Sequence, residues 1–138
     1  MKIKFKYTLE SLPAILEYAG VKPTAQRLAV ARYLFLDADH PTADEVKAAV
    51  DRFFPKISLA TVYNTLHALE AGGLLKAVKR PDSGKVVYDR NTTHHHHFID
   101  RDSGEILDIP AEQVAVEAEL PNEFHIDEVE VFIRGTRD

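Results

Sequence analysis

The sequence contains no cysteine, no tryptophan and a single methionine. Without thiols, disulfides, Cys-ligated zinc and thiol redox chemistry are excluded. There is no apolar run of the roughly 20 residues that a membrane-spanning helix needs. The basic opening "MKIKFKY" is not followed by an apolar segment of signal-peptide length, so a cytoplasmic protein with no membrane partner is expected. No internal repeat appears. The one biased stretch is "TTHHHHFID", residues 92–100, where four histidines run together. Tags of that kind sit at chain ends, whereas this run leads directly into the strand-like pair Phe98–Ile99.

Charge is unevenly placed. Residues 1–90 carry 14 Lys and Arg against 10 Asp and Glu, a net of +4; residues 91–138 carry 3 against 12, a net of −9. A basic half joined to an acidic half suggests two modules with different partners. The length of 138 residues suits one domain or two small ones.

The first half reads as helical. Leu12, Ile15, Leu16 and Ala19 fall at helical spacing ahead of Gly20, and Pro13 fits only a first turn, so a helix should begin near Ser11. Thr24 can cap a second helix carrying Leu28, Val30, Ala31, Leu34 and Phe35. Thr42 and Glu45 form a capping box for a third, expected to run to about Phe54 and stop before Pro55. Ser58 caps a fourth, which closes on Gly72 or Gly73. Then "LLKAVKR" and "KVVYD" flank the turn sequence "PDSG" and predict a β-hairpin. A second pair, "HHHHFID" and "EILDI", is joined by "RDSG". A helix over about Ala111–Leu120 and a last strand with alternating Val129, Val131 and Ile133 complete the chain. Helices followed by a two-stranded wing make a winged helix-turn-helix, and the whole is an α+β protein with a small α/β module after the wing.

The fourth helix has two unlike faces. Leu59, Val62, Leu66 and Leu69 form an apolar stripe. Ser58, Ala60, Thr61, Tyr63, Asn64 and His67 lie elsewhere, with almost no charge before Glu70. Small and hydrogen-bonding side chains allow close approach to base edges in a major groove, whereas an ordinary surface helix carries more Glu and Lys. The hairpin adds Lys76, Lys79, Arg80 and Lys85, which suit phosphate contacts.

On a strand the histidines divide by face. His95 and His97 share one side, His94 and His96 the other. Two imidazoles at i and i+2 can converge on one ion. Asp89 precedes the run, Asp108 ends the neighbouring strand, and His40 precedes the third helix, so carboxylates and a further imidazole are available.

The stretches "VKPTAQRLAV", "HPTADEV", "SLATVYNTLHALEAGGLLK", "YDRNTTHHHHFID" and "GEILDI" occur in that order from Val21 to Ile109 and resemble the ferric uptake regulator family of metal-dependent bacterial repressors. The resemblance implies a homodimer on double-stranded DNA, with an N-terminal winged helix (1–89) and a C-terminal α/β dimerisation and metal-sensing domain (90–138). It implies a regulatory metal between the two, held by His40, Asp89, His95, His97 and Asp108. It places Tyr63 near bases and Lys22 and Arg27 near DNA. Three imidazoles and two carboxylates without sulfur favour Mn2+ or Fe2+, with Zn2+ able to compete.

Two departures from the family pattern stand out. Many members hold a structural zinc on two CxxC pairs, but Asp100 and Ser103 occupy the place of the first pair and the second is missing. His94 and His96 match part of another family metal site, while Val129 falls where a histidine is expected; Glu112 or His125 are the residues offered to complete a second metal or heme site. The cysteine-free pattern looks most like the iron response regulators, linked to heme or iron status, and next like the peroxide-sensing repressors. The expected function is a metal-dependent regulator of iron, heme or peroxide-stress genes, acting on a palindromic operator and not an enzyme. The alternatives are a metalloenzyme or a metal-storage module using the histidine cluster, neither of which needs a polar recognition helix or a basic wing.

Overall fold

The computed structural model describes residues 4–54 and 56–138. Three residues of the basic opening stretch, and Pro55, expected to stop the third helix, lie outside the described residues. The chain separates into two compact units with the division between Thr92 and Thr93.

The first unit opens with α1 (Leu12–Tyr18), α2 (Ala25–Arg32), α3 (Ala43–Val50) and α4 (Leu59–Ala71). Three caps read from the sequence are formed. Thr24 accepts from the Arg27 N–H, Ser58 accepts from the Thr61 N–H, and Thr42 and Glu45 make the reciprocal capping box. The helices end as their glycines require. Gly20 and Gly73 take φ of 81° and 78°, and the next N–H in each case reaches back to the last turn, Val21 to Leu16 O and Leu74 to Leu69 O. The third helix is shorter than expected. It ends at Val50, and residues 51–54 form turns and a bend.

The second helix does not simply stop at Arg32. It widens into a π-turn, Tyr33–Asp37, closed by the Ala38 N–H on the Tyr33 carbonyl five residues back. Leu12, Leu16, Val30, Leu34, Val46, Val62, Leu66 and Leu69 are almost wholly buried and make the core. Burying each of these large side chains contributes about 1.5–3 kcal/mol before entropy is counted. β1 (Lys76–Lys79) and β2 (Val86–Asp89) then pair antiparallel as the wing, with Lys76 opposite Asp89.

The second unit is a three-stranded sheet in the order β4–β3–β5, formed by β3 (His95–Asp100), β4 (Ile106–Pro110) and β5 (Phe132–Gly135). β4 runs antiparallel to β3 and β5 parallel to it. A parallel neighbour demands a long crossover. Here the expected helix 111–120 is not its vehicle: only Ala111–Gln113 forms a single 3-10 turn, and residues 114–131 carry no regular structure. Val114, Val116, Ala118 and Leu120 alternate with Ala115, Glu117 and Glu119, a period of two that favours extended backbone over a helix. The last strand is also shorter than its sequence pattern. Val129 and Val131 precede it, although the Val131 carbonyl accepts the His97 N–H.

The chain end is fastened by charge. Asp100 is buried, accepts from the Asp102 and Ser103 N–H groups, and receives the Arg137 Nε at 2.9 Å. Arg137 also bridges to Glu105 at 3.3 Å. The Arg137 hydrogen bond, with help from the Asp102 N–H, holds the Asp100 carboxyl below the usual carboxylate range.

A Cβ at Gly72 would lie 2.7 Å from the Ala19 carbonyl oxygen and 2.9 Å from the Ala19 Cβ, where α1 ends against α4. Helix propensity alone favours alanine there, but the overlap is with backbone, so Gly72→Ala should destabilise by about 1–3 kcal/mol in a denaturant titration. A gain in stability would show that the two helix ends are not held together. Because Asp100 titrates lower when folded, its contribution is complete above the unfolded carboxylate value of about 3.9 and is lost as pH falls through the lower folded one. The melting-temperature gap between the wild type and Arg137→Ala should therefore be widest near neutral pH and close below about pH 4.

Candidate metal centre and nucleic-acid interface

In the first unit, His40 and Asp89 form a buried pair. His40 sits at φ 50°, in the left-handed region that non-glycine residues seldom occupy, three residues after the π-turn and directly before Pro41. The Pro41 carbonyl accepts the Tyr88 N–H at 2.9 Å, which brings this loop to the end of the wing. His40 Nδ1 lies 2.7 Å from Asp39 Oδ1, and His40 Nε2 lies 3.2 Å from Asp89 Oδ2. A carboxylate oxygen can only accept, so a protonated His40 can donate to both Asp39 and Asp89, while a neutral ring serves only one of them; in the neutral tautomer that serves the closer Asp39, the proton is on Nδ1. Its Nε2 then points a lone pair at a buried carboxylate. Two lone pairs at that distance repel unless a cation or proton lies between them. Asp89 Oδ1 is engaged elsewhere, accepting the Asn91 N–H.

The second unit repeats this logic. His97 stands directly opposite Asp108 in the β3–β4 register. His95 Nδ1 meets the Thr93 carbonyl at 2.6 Å, so the proton of a neutral ring lies there and its Nε2 is an acceptor. That Nε2 faces His97 Nε2 at 3.1 Å and Asp108 Oδ1 at 3.2 Å, and His97 Nε2 lies 3.6 Å from the same oxygen. Both rings are buried, and the His97 ring stacks on Phe132. Backbone oxygen or carboxylate on one imidazole nitrogen, with the other turned to more ligands, is the usual outer support of a metal-binding histidine. Each unit thus brings imidazole nitrogen and carboxylate oxygen to one point, where a proton or a divalent cation can be held. The donor set fits such an ion.

The opposite face of β3 behaves differently. His96 Nδ1 accepts the Val131 N–H at 3.1 Å, which spends its lone pair on the backbone. His94 is exposed, with Glu128 at 3.6 Å. Glu112 and His125 are exposed, and among the described residues no group of three or more metal-type ligands includes them, His94 or His96. Of these four residues, His96 has a sheet-stabilising role, and His94 has the Glu128 carboxylate as a neighbour.

The remaining candidates lie on the first unit. Lys22, Thr24, Arg27, Thr61, Asn64 and Thr65 line one groove of about 300 Å3. Arg27 is braced there by a bond from Nη1 to the Lys22 carbonyl. Tyr63 and Lys85 share a second, wider groove beside the wing. Ser58, Ala60, Tyr63 and Asn64 are exposed on α4, and Lys79 and Lys85 on the wing, while Val62, Leu66 and Leu69 are buried beneath. The helix is therefore turned as the sequence stripe requires.

A family model described as the ferric uptake regulator family matches residues 18–133. The chain belongs to the ferric uptake regulator family. It is 40% identical over 109 residues to the peroxide-responsive repressor PerR of Staphylococcus aureus, covering 79% of this chain and 73% of that protein. A zinc-bound manganese uptake regulator superposes with a TM-score of 0.69 at 26% identity, over 95% of this chain and 99% of the other. The ferric uptake regulator of Vibrio cholerae shares the fold, with a TM-score of 0.68 at 22% identity over 91% and 99% of the two chains. The chain is a regulator of this family rather than an enzyme, and its fold is the family's winged helix followed by a small C-terminal domain, here without the expected helix.

Some of the residues that shape the two ligand groups were not singled out in the sequence. Asp39 was legible as the acid directly before His40. Thr93 acts through its carbonyl, so its side-chain type does not announce its part.

For the second unit, titration with Mn(II) or Zn(II) followed calorimetrically separates the two faces of β3. His95→Ala and His97→Ala should each weaken binding at least about tenfold, whereas His94→Ala should change it by less than about twofold. Equal losses from both faces would contradict the assignment.

Proposed function

We propose that this chain is a homodimeric, divalent-metal-responsive repressor that binds double-stranded DNA at a palindromic operator. One ion per chain is held jointly by His40 and Asp89 of the first unit and His95, His97 and Asp108 of the second. The observation that carries this reading is the pair of half-sites: in each, a histidine whose Nδ1 proton is committed to an oxygen presents Nε2 to a carboxylate. A bound Mn2+ or Fe2+ would supply positive charge and coordination bonds to both half-sites, with Zn2+ a competitor. The manganese and zinc in the names of similar structures support that choice.

The work of the protein's own residues is to make metal occupancy favour one arrangement of the units. His40 and Asp89 sit at the base of the wing; His95, His97 and Asp108 sit on the second unit's sheet. Sharing one ion gives two conformations different metal affinities, which is what a population shift requires. A preference of about 100-fold supplies about 2.7 kcal/mol. In the dimer this sets the separation of the two α4 helices to match operator half-sites, with Tyr63, Asn64 and Thr61 at base edges and Lys22, Arg27, Lys79 and Lys85 at phosphates. Of the signals left open, peroxide gains support from the Staphylococcus aureus relative's name. Heme gains none from the geometry, since His96 Nδ1 is bonded to backbone.

The test uses duplexes selected from a random-sequence library by the Mn(II)-loaded protein. Anisotropy should show affinity falling at least about tenfold on chelation, and His97→Ala should bind as weakly with metal as the wild type does without it. Failure to select any duplex, or affinity indifferent to chelator, would sink this reading.

A further inference from the structure

Three consecutive residues at the end of the wing are tied to the segment 35–41. The Tyr88 N–H donates to the Pro41 carbonyl at 2.9 Å, and Asp89 Oδ2 faces His40 Nε2 at 3.2 Å. The third tie is the Arg90 guanidinium, whose Nη1 donates to the Phe35 carbonyl at 2.9 Å across 55 positions of sequence. The first two belong to the wing and to the ligand pair already described. The third has been given no part in either.

Its place is specific. Phe35 lies inside the π-turn 33–37, and its ring is buried and stacked on Tyr7 at 4.4 Å, so its carbonyl is a fixed point. A π-turn shifts the hydrogen-bond pattern of a helix end and leaves carbonyls for partners outside the helix. Arg90 is the middle residue of the local turn in which Asp89 Oδ1 accepts the Asn91 N–H. The rest of Arg90 is exposed. A long side chain gives up rotamer freedom to hold one carbonyl, and arginine's rigid fork loses less per bond than lysine would.

We propose that Arg90 is a positioning residue of the metal switch. It fastens the end of the wing to the π-turn that precedes His40, holding His40 and Asp89 at their spacing and fixing the turn at residues 89–91. Metal occupancy is thereby converted into operator affinity. The inference rests on the metal-responsive reading above and adds to it a residue that touches neither metal nor DNA.

The experiment measures, for wild type, Arg90→Ala and Arg90→Lys, the affinity for the selected duplex with Mn(II) and with chelator, together with the Mn(II) affinity of each protein. Arg90→Ala should reduce the metal-induced gain in DNA affinity and the Mn(II) affinity by about three- to tenfold each, the scale of one partly exposed charged hydrogen bond. Its DNA affinity in chelator should stay within about twofold of wild type. Arg90→Lys, which can still reach the carbonyl with one donor, should recover most of the gain. Should Arg90→Ala not fold, Arg90→Gln, too short to reach, replaces it against Arg90→Lys. An unchanged metal-induced gain in the alanine or glutamine variant overturns the proposal. So does an equal loss with and without metal, which would mark Arg90 as support for the fold only. If the wild type itself shows no gain, the metal-responsive reading falls, and this inference falls with it for that separate and visible reason.

Discussion

The structure turns on where two protons sit. With the ring proton of His40 turned to Asp39 and that of His95 to the Thr93 carbonyl, each ring directs its other nitrogen at a carboxylate. A neutral ring in that tautomer has no proton to offer the carboxylate, whereas a second proton or a divalent cation between them satisfies both. The strain of His40 at positive φ and the widened helix end ahead of it have the same sense, since a sparsely populated backbone persists only where its surroundings over-determine it. The capping box of α3 supplies part of that fixing: Thr42 and Glu45 anchor the backbone two residues after His40.

Much of this was legible in the chain itself, for identifiable reasons. The caps at Thr24, Thr42 and Ser58 were readable because capping depends on a few side-chain atoms close in sequence. The division of the four histidines by face followed from the period of a strand, and the structure keeps it: His95 and His97 turn to Asp108, while His96 turns to Val131. What could not be read depends on backbone atoms. The π-turn carries no side-chain signature, and its bond to Arg90 ends on a carbonyl. The helix expected over 111–120 failed for a different reason. Pro110 and the mixed Ala and Glu content favour a helix locally, but the alternation of Val114, Val116, Ala118 and Leu120 fits extended backbone, and only the first turn forms.

The lack of cysteine bears on the second unit most. A sheet of three strands with no helix in its crossover has little core of its own; Ile99 and Ile106 are its fully buried aliphatic residues among those described. A small module so built needs another tie. Asp100 stands where the family pattern would place a zinc-binding cysteine, and it is this residue that takes Arg137 from beyond the last strand, with Glu105 as the second acceptor. The Arg101 N–H on the Gly135 carbonyl adds a backbone link at the same end. An ion pair backed by two backbone N–H donors is weaker than four thiolates on zinc and is reversible with pH, but it asks for no metal and no reducing surroundings. The consequence reaches the ligands. β5 is held at Gly135 by these contacts, and at its other end Phe132 stacks on His97 while Val131 bonds to both His96 and His97. A carboxylate and a guanidinium at the far end of the sheet therefore help to keep the imidazoles of β3 in the rotamers that leave their Nε2 atoms together.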